Sequence, residues 1–300
     1  MFGARTPSLS VFGWRLAPHW RGGLGRLAAV TISVVALSSP GRAAAAQHHP
    51  RGVFAVFSDC PLGNPAVAQC LVAHITGGEF VLGKEIVPIS KTITLQGGLI
   101  HAPGPNVNAY VLAGAEDGNT LSRTALNVPG GLLGAGAVTS RTEVTATAEL
   151  AGPLSAVKLD ITNLLEEHGD ALTMPLKVKL DNSVLGSNCY LGGEANPVEI
   201  ELTDGTTSPP PPNRPIAGHP GEEESVVEHG FEAVVGSGAS LVNNSFSVPE
   251  ATGCGGVLGS SIVDAIIGLP SRPGRNTAIL DANIDLAEAE SVTASERNQP

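Results

Sequence analysis

Pro175-Leu-Lys-Val-Lys-Leu-Asp181 puts Leu176, Val178 and Leu180 on one side of an extended chain and Lys177, Lys179 and Asp181 on the other. Apolar and polar residues alternating with a period of two mark a strand with one face buried and one face wet. Ile93 and Leu95 alternate in the same way with Thr92 and Thr94, and Pro197-Val-Glu-Ile-Glu-Leu202 repeats the pattern. Thr142, Val144, Ala146 and Ala148 alternate with Glu143, Thr145, Thr147 and Glu149. Near the end of the chain, Leu280, Ala282, Ile284 and Leu286 alternate with Asp281, Asn283 and Asp285.

Shorter β-rich runs fill the intervals: Glu79 to Leu82, Glu85 to Ser90, Asn106 to Leu112, Phe231 to Val235, Ser240 to Val242 and Phe246 to Val248. Gly77-Gly78, Gly83, Gly97-Gly98 and the glycine-rich Val128 to Gly134 read as turns between them, and Pro88 suits an edge or a bulge. Strands at short, regular spacing predict an all-β, antiparallel, sandwich-like fold. One or two short helices complete it. Asn64-Pro65 reads as an N-cap with proline at the first helical position, opening a helix through Leu71. Ser260 to Ile267 reads as a helix stopped by Gly268 and Pro270, and Leu159 to His168 as a briefer helical turn.

Ahead of this pattern, Met1 to Ala46 has the order of a cleavable secretory signal. Arg5, Arg15, Arg21 and Arg26 lead into the apolar run Leu27 to Leu37, and Ala44 and Ala46 supply a small-residue cleavage site before Gln47. The run is well short of the roughly twenty apolar residues that cross a bilayer. No cysteine follows it closely enough for a lipid anchor, and no Arg-Arg pair marks a twin-arginine route. The domains expected are therefore a signal peptide over 1–46 and a secreted β domain over 47–290, with room for subdomains of about 47–140 and 141–290. Within it, Pro209-Pro-Pro-Pro212, Pro215 and Pro220 make 203–224 a proline-rich surface loop, and 287–300 reads as a disordered tail. His48-His49 falls on a mobile mature N-terminus.

Removing the leader takes five of the 17 basic residues and none of the 28 acidic ones, so the formal charge moves from −11 to −16. Such acidity argues against a nucleic-acid partner, whose binding is dominated by basic contacts to phosphate. Both tryptophans, Trp14 and Trp20, also leave. The scarcity of aromatic side chains disfavours a platform for stacking sugar rings. Cys60, Cys70, Cys189 and Cys254 all follow the leader, and an even count in an oxidising compartment implies two disulfides. Three pairings are open, of which Cys60 with Cys70 and Cys189 with Cys254 is favoured. No C-x-x-C spacing supports zinc.

Candidate chemistry is sparse. Asp281, Asn283 and Asp285 begin like a calcium loop, but Leu286 stands where glycine is needed and Val292 where glutamate is needed. A strand with one wet face explains the same residues. His219, Glu222-Glu-Glu224, Glu228 and His229 are the densest set of metal-type donors, yet they lie in or beside the proline loop and read as a solvated charge run. Gly236-Ser-Gly-Ala-Ser240 has the wrong order for a nucleophile elbow, and Glu166-Glu167 reads as exposed. No catalytic, cofactor-binding or metal residue is assigned.

Four stretches, Gly77-Gly-Glu-Phe80 with Ile89 to Gly98, Lys177 to Tyr190, Leu202 to Pro210, and Thr252-Gly-Cys-Gly-Gly256, together resemble an uncharacterised family of secreted actinobacterial proteins of unknown function. The resemblance spans most of the mature chain and departs at the acidic insert around Glu222. It implies an exported bacterial protein and carries no functional residue. The function expected is that of a secreted, non-enzymatic β protein, extracellular or loosely envelope-associated and without a membrane span. The alternative is a secreted hydrolase whose site is assembled from distant residues.

Overall fold

The computed structural model describes residues 48–131, 143–255 and 259–297. The expected signal peptide over 1–46 lies outside them. Among the described residues, fourteen strands share one hydrogen-bonded sheet, and every ladder is antiparallel. The predicted antiparallel, disulfide-stapled β fold is therefore present, as one continuous sheet in place of two stacked ones. The strands are β1 (Val67–Leu82), β2 (Glu85–Pro88), β3 (Ile93–His101), β4 (Ala109–Gly114), β5 (Ala125–Val128), β6 (Val144–Leu150) and β7 (Lys158–Asp160), then β8 (Leu172–Asp181), β9 (Tyr190–Leu191), β10 (Val198–Leu202), β11 (Glu222–Glu228), β12 (Phe231–Asn243), β13 (Ala251–Thr252) and β14 (Thr277–Glu288).

The main path runs β11, β12, β14, β1, β3, β4, β7, β8, β6, β5, and β10 pairs with the other edge of β8. Thr203, just past β10, exchanges two backbone hydrogen bonds of 3.0 and 2.7 Å with Val242 of β12. Asn243 Nδ2 also donates to the Glu201 carbonyl. The sheet thus curls until β10 meets β12, enclosing a core of Val, Leu, Ile and Ala side chains that includes Leu71, Leu95, Leu99, Ile200, Leu241 and Leu280. β4 pairs with β7, so the sheet runs on across the 140/141 boundary expected between subdomains.

The strand quoted first is a hub. One edge of β8 pairs with β7 and then β6, the other with β10 and then β9. Proline inside such a strand would cost a ladder bond. Pro175 escapes that cost: its carbonyl accepts from Ala151 N at 2.9 Å, and its nitrogen faces the same edge, where β7 has ended and β6 begins at Leu176.

Strand β1 replaces the helix expected from Asn64. The Asn64 carboxamide accepts from Ala66 N at 3.1 Å, a local turn that resembles a helix cap, and the chain then enters the sheet at Val67. Leu71, Ala73 and Ile75 face the main core, while Cys70 and Val72 face a second cluster with Phe54, Phe57, Ala233, Ala287 and Val292. A strand buried on both faces has no alternation to read. Nor do Gly77-Gly78 end it. The register shifts just before them, between Ile75 and Gly77, and both pair with β14; Gly78 has φ +96° and a Cβ there would lie 1.9 Å from the Ile279 carbonyl oxygen. β3 likewise passes straight through Gly97-Gly98.

The second cluster covers the outer face of β1, β12 and β14. The 3-10 turn Gly52–Phe57 supplies Phe54 and Phe57, both fully buried, and Glu228 anchors it by accepting from Val53 N at 2.8 Å. The tail expected to be disordered is helical over Ala289–Arg297 (α3), because Val292 is wholly buried in this cluster. His48, expected on a mobile segment, lies between Glu116 (3.4 Å) and Glu296 of α3 (3.1 Å), joining the first described residues to α3. The other helices are α1 (Ile161–Glu166), which Asp160 caps through Asn163 N, and α2 (Gly259–Ile267). No helix among the described residues is long and apolar enough to cross a membrane.

Both disulfides are formed, Cys60–Cys70 and Cys189–Cys254, with Cα–Cα distances of 5.5 and 4.0 Å. Closing loops of 10 and 65 residues, they stabilise the fold by about 3 and about 4 kcal/mol on a chain-entropy basis.

The close approach of β14 at Gly78 makes a direct prediction. Gly78→Ala lowers unfolding stability by about 1–3 kcal/mol, since it combines positive φ with a backbone clash. Gly118→Ala, at φ +78° with nothing within 4 Å of the new Cβ, costs about 1 kcal/mol or less. Urea unfolding of both variants checks this, and equal losses would remove the close approach of β14 as the cause.

Candidate functional site

At the end of the sheet where β1, β4 and β12 begin and β3, β7 and β14 finish, the inner-face side chains change from apolar to polar. Along β14 that face reads Leu280, Ala282, Ile284, Leu286 and then Glu288. Gln69 sits opposite Glu288 across β1 and β14. On the far side of β14, Val234 opposes Leu286 and Ala233 opposes Ala287, and one more step of that register sets Glu232 opposite Glu288. A row of Glu232, Glu288 and Gln69 therefore crosses three adjacent strands on one face.

The row borders an open cavity of about 500 Å³, whose apolar wall includes Ile161, Phe231, Val234 and Leu286. Gln69 Nε2 donates to the Tyr110 hydroxyl at 3.3 Å, and the Tyr110 ring packs on His101 with centroids 4.8 Å apart. Burial, and secondarily the charge of Glu288, hold the Tyr110 hydroxyl above its ordinary pKa. Glu232 accepts from the Ser225 hydroxyl of β11, which holds its carboxylate in place.

Two further cavities, of about 30 Å³ each, lie deeper between β2 and strands β6 and β8 and share Leu82, Val87, Ala146 and Val178. Glu85 at the edge of the first is the one ionisable residue in a lining that is otherwise apolar, so neither gathers the several polar groups that orient a polar ligand. The mouth is the candidate site.

The residues singled out by sequence fall elsewhere. Asp281, Asn283 and Asp285 lie on the outer face of β14, with Leu280 and Ala282 buried on the inner one, as the wet-face reading expects. Asp285 departs from it in part: burial raises its pKa, opposed by the Gly236 amide and by His74. Glu222 to Glu224 belong to strand β11 and not to a loop. His229 occupies the turn into β12 at φ +52°. His219 is joined to Ser240 through the backbone, and Ser240 Oγ donates straight to Asp281 Oδ1 at 2.9 Å. No imidazole stands between that serine and that aspartate, as a catalytic triad needs.

The residues of the mouth carry no motif. The available signal was a break in the alternation, a polar residue taking an inner-face position at a strand end, as at Glu288.

Asp204 is the one carboxylate wholly buried among the described residues, and both its oxygens lack hydrogen-bond partners in the structure. Desolvation, then the nearby negative charges of Glu167 and Glu223, push its pKa up to about 6, against the pull of its own backbone amide and of His168. The folded chain thus holds a proton that the unfolded chain releases near 3.8. Stability from this group falls as pH rises from about 4 to 6, and the penalty is complete above that window. Asp204→Asn should therefore raise unfolding stability by about 1–3 kcal/mol at pH 8 and change it little at pH 4. Urea titrations at the two pH values decide it, a pH-independent difference being the contrary result.

Compared with known protein families, characterised proteins and solved structures, the chain matches none.

Proposed function

We propose that this is a secreted, non-enzymatic β protein that acts by binding, free in the extracellular medium or loosely held at the cell envelope. The observation that carries binding is the mouth of the curled sheet. Its volume of about 500 Å³ falls within the range of about 300–1,000 Å³ usual for small-molecule sites, and it combines apolar walls with a few convergent polar groups. Export is supported by the leader sequence and by two disulfides suited to an oxidising compartment.

Fractionation of producing cells tests export. The protein is expected in the medium or in a mild cell wash, beginning near Gln47, with no thiol that reacts with an alkylating agent until it is reduced. Recovery from the cytoplasm alone, still carrying the leader, would overturn this reading.

A secreted hydrolase is the second reading, favoured by Glu232 and Glu288, two carboxylates bordering one cavity, as glycoside hydrolysis requires. It predicts turnover of a glycoside that Glu288→Gln abolishes.

A further inference from the structure

From the carboxylates at the mouth we infer the chemical class of the ligand: an organic ammonium ion with an apolar body. The inference rests on the binding function proposed above and adds what the cavity selects. Glu232 and Glu288 occupy facing positions of β12 and β14 by continuation of the register that pairs Ala233 with Ala287, and like charges placed opposite each other on a sheet repel. The only partner of Glu232 among the bonds described is the neutral Ser225 hydroxyl.

No lysine, arginine or histidine is among the residues that line the cavity. Gln69 is turned to Tyr110, where its amide donates, so the neighbouring strand supplies no positive charge to the pair. A cation seated between the two carboxylates removes the repulsion and gains both attractions. It also keeps part of its hydration, since both glutamates are exposed.

The apolar wall sets the rest of the ligand. Phe231, Val234, Leu286 and Ile161 line the same cavity, and a hydrocarbon chain or ring attached to the ammonium would cover them. Bare metal ions gain nothing from that wall. Anions are repelled by the pair and by a chain whose formal charge is −11. A neutral amphiphile gains the wall but leaves the carboxylates unrelieved.

The probe is n-hexylammonium, compared with 1-hexanol and hexanoate by isothermal titration calorimetry and by backbone amide shifts of the whole protein. Hexylammonium is expected to bind, to shift the amides of Gln69, Glu232 and Glu288, and to weaken as salt rises. Hexanol should bind more weakly and hexanoate not at all. Glu288→Gln and Glu232→Gln should each lower hexylammonium affinity by about three- to fivefold, and Glu288→Gln should do so with no fall in melting temperature, because it removes a repulsion without losing the Ser225 bond that Glu232 accepts. Equal binding of hexanol and hexylammonium would overturn the ammonium class and leave a binding cavity standing. No binding of any probe, or shifts confined to residues away from the mouth, would overturn the inference itself. Glycoside turnover lost in Glu288→Gln would instead overturn the binding function on which it rests.

Discussion

Strand β1 is covered on both faces, and that constraint organises the molecule. A sheet with a single buried face needs only one core. Here the inner face of β1 looks into the curled sheet, while Cys70 and Val72 on its outer face would be left in water without Phe54, Phe57 and Val292. The first and last described segments of the chain are therefore structural parts. The Cys60–Cys70 bond fixes the start of β1 beneath the 3-10 turn, Glu228 holds that turn from the β11–β12 hairpin, and His48 joins it to α3 through Glu296. The disulfide is local, but the Glu228 and His48 contacts join residues far apart in sequence, so the outer layer ties the first described segment to β11 and α3.

How much of this was legible in the sequence follows from burial. Strands with one wet face announced themselves: Ile93 to Leu95, Leu176 to Leu180, Val198 to Leu202 and Leu280 to Leu286 all lie where alternation placed them. β1 did not, since with both faces buried its apolar residues follow no period, and Asn64-Pro65 offered a helical start that a local turn satisfied equally well. α3 was missed for a related reason. Its one wholly buried apolar side chain, Val292, gives no helical stripe, and its order comes from tertiary contact. Glycine misled in a consistent direction. In a sequence it reads as a turn, yet at Gly77-Gly78 it lets two strands approach within a continuous ladder. The disulfide pairing was better specified, because Cys60 and Cys70 enclose a short loop and leave only one partner for each remaining cysteine.

The closure of the sheet has a local cost. Thr203 and Val242 join β10 to β12, and the next residue, Asp204, is wholly buried with no hydrogen-bond partner on either oxygen. Gly205 and Gly218 on either side pack too closely for any side chain, a Cβ at Gly205 meeting the Glu167 carbonyl at 2.0 Å. The backbone needed to bring the edges together thus carries a carboxyl into a place that strands alone would not choose. The proline-rich segment that follows is laid down rather than free: Asn213 Nδ2 donates to the carbonyls of Asn244 and Asn276 at 3.0 and 2.9 Å.

Charge at the mouth is a different kind of cost. Asp204 is set by the path of the backbone, whereas Glu232 and Glu288 lie at exposed strand ends, where many residue types would fit the sheet. Facing carboxylates are among the less favourable choices for such a pair, and they are not needed to keep an edge soluble, because β11 with its three successive glutamates already covers that side of β12. Departures from local preference that the fold does not require are the places where function is to be sought. In this molecule the departure coincides with its largest cavity described. That coincidence, more than any motif, distinguishes the mouth from the rest of the acidic surface.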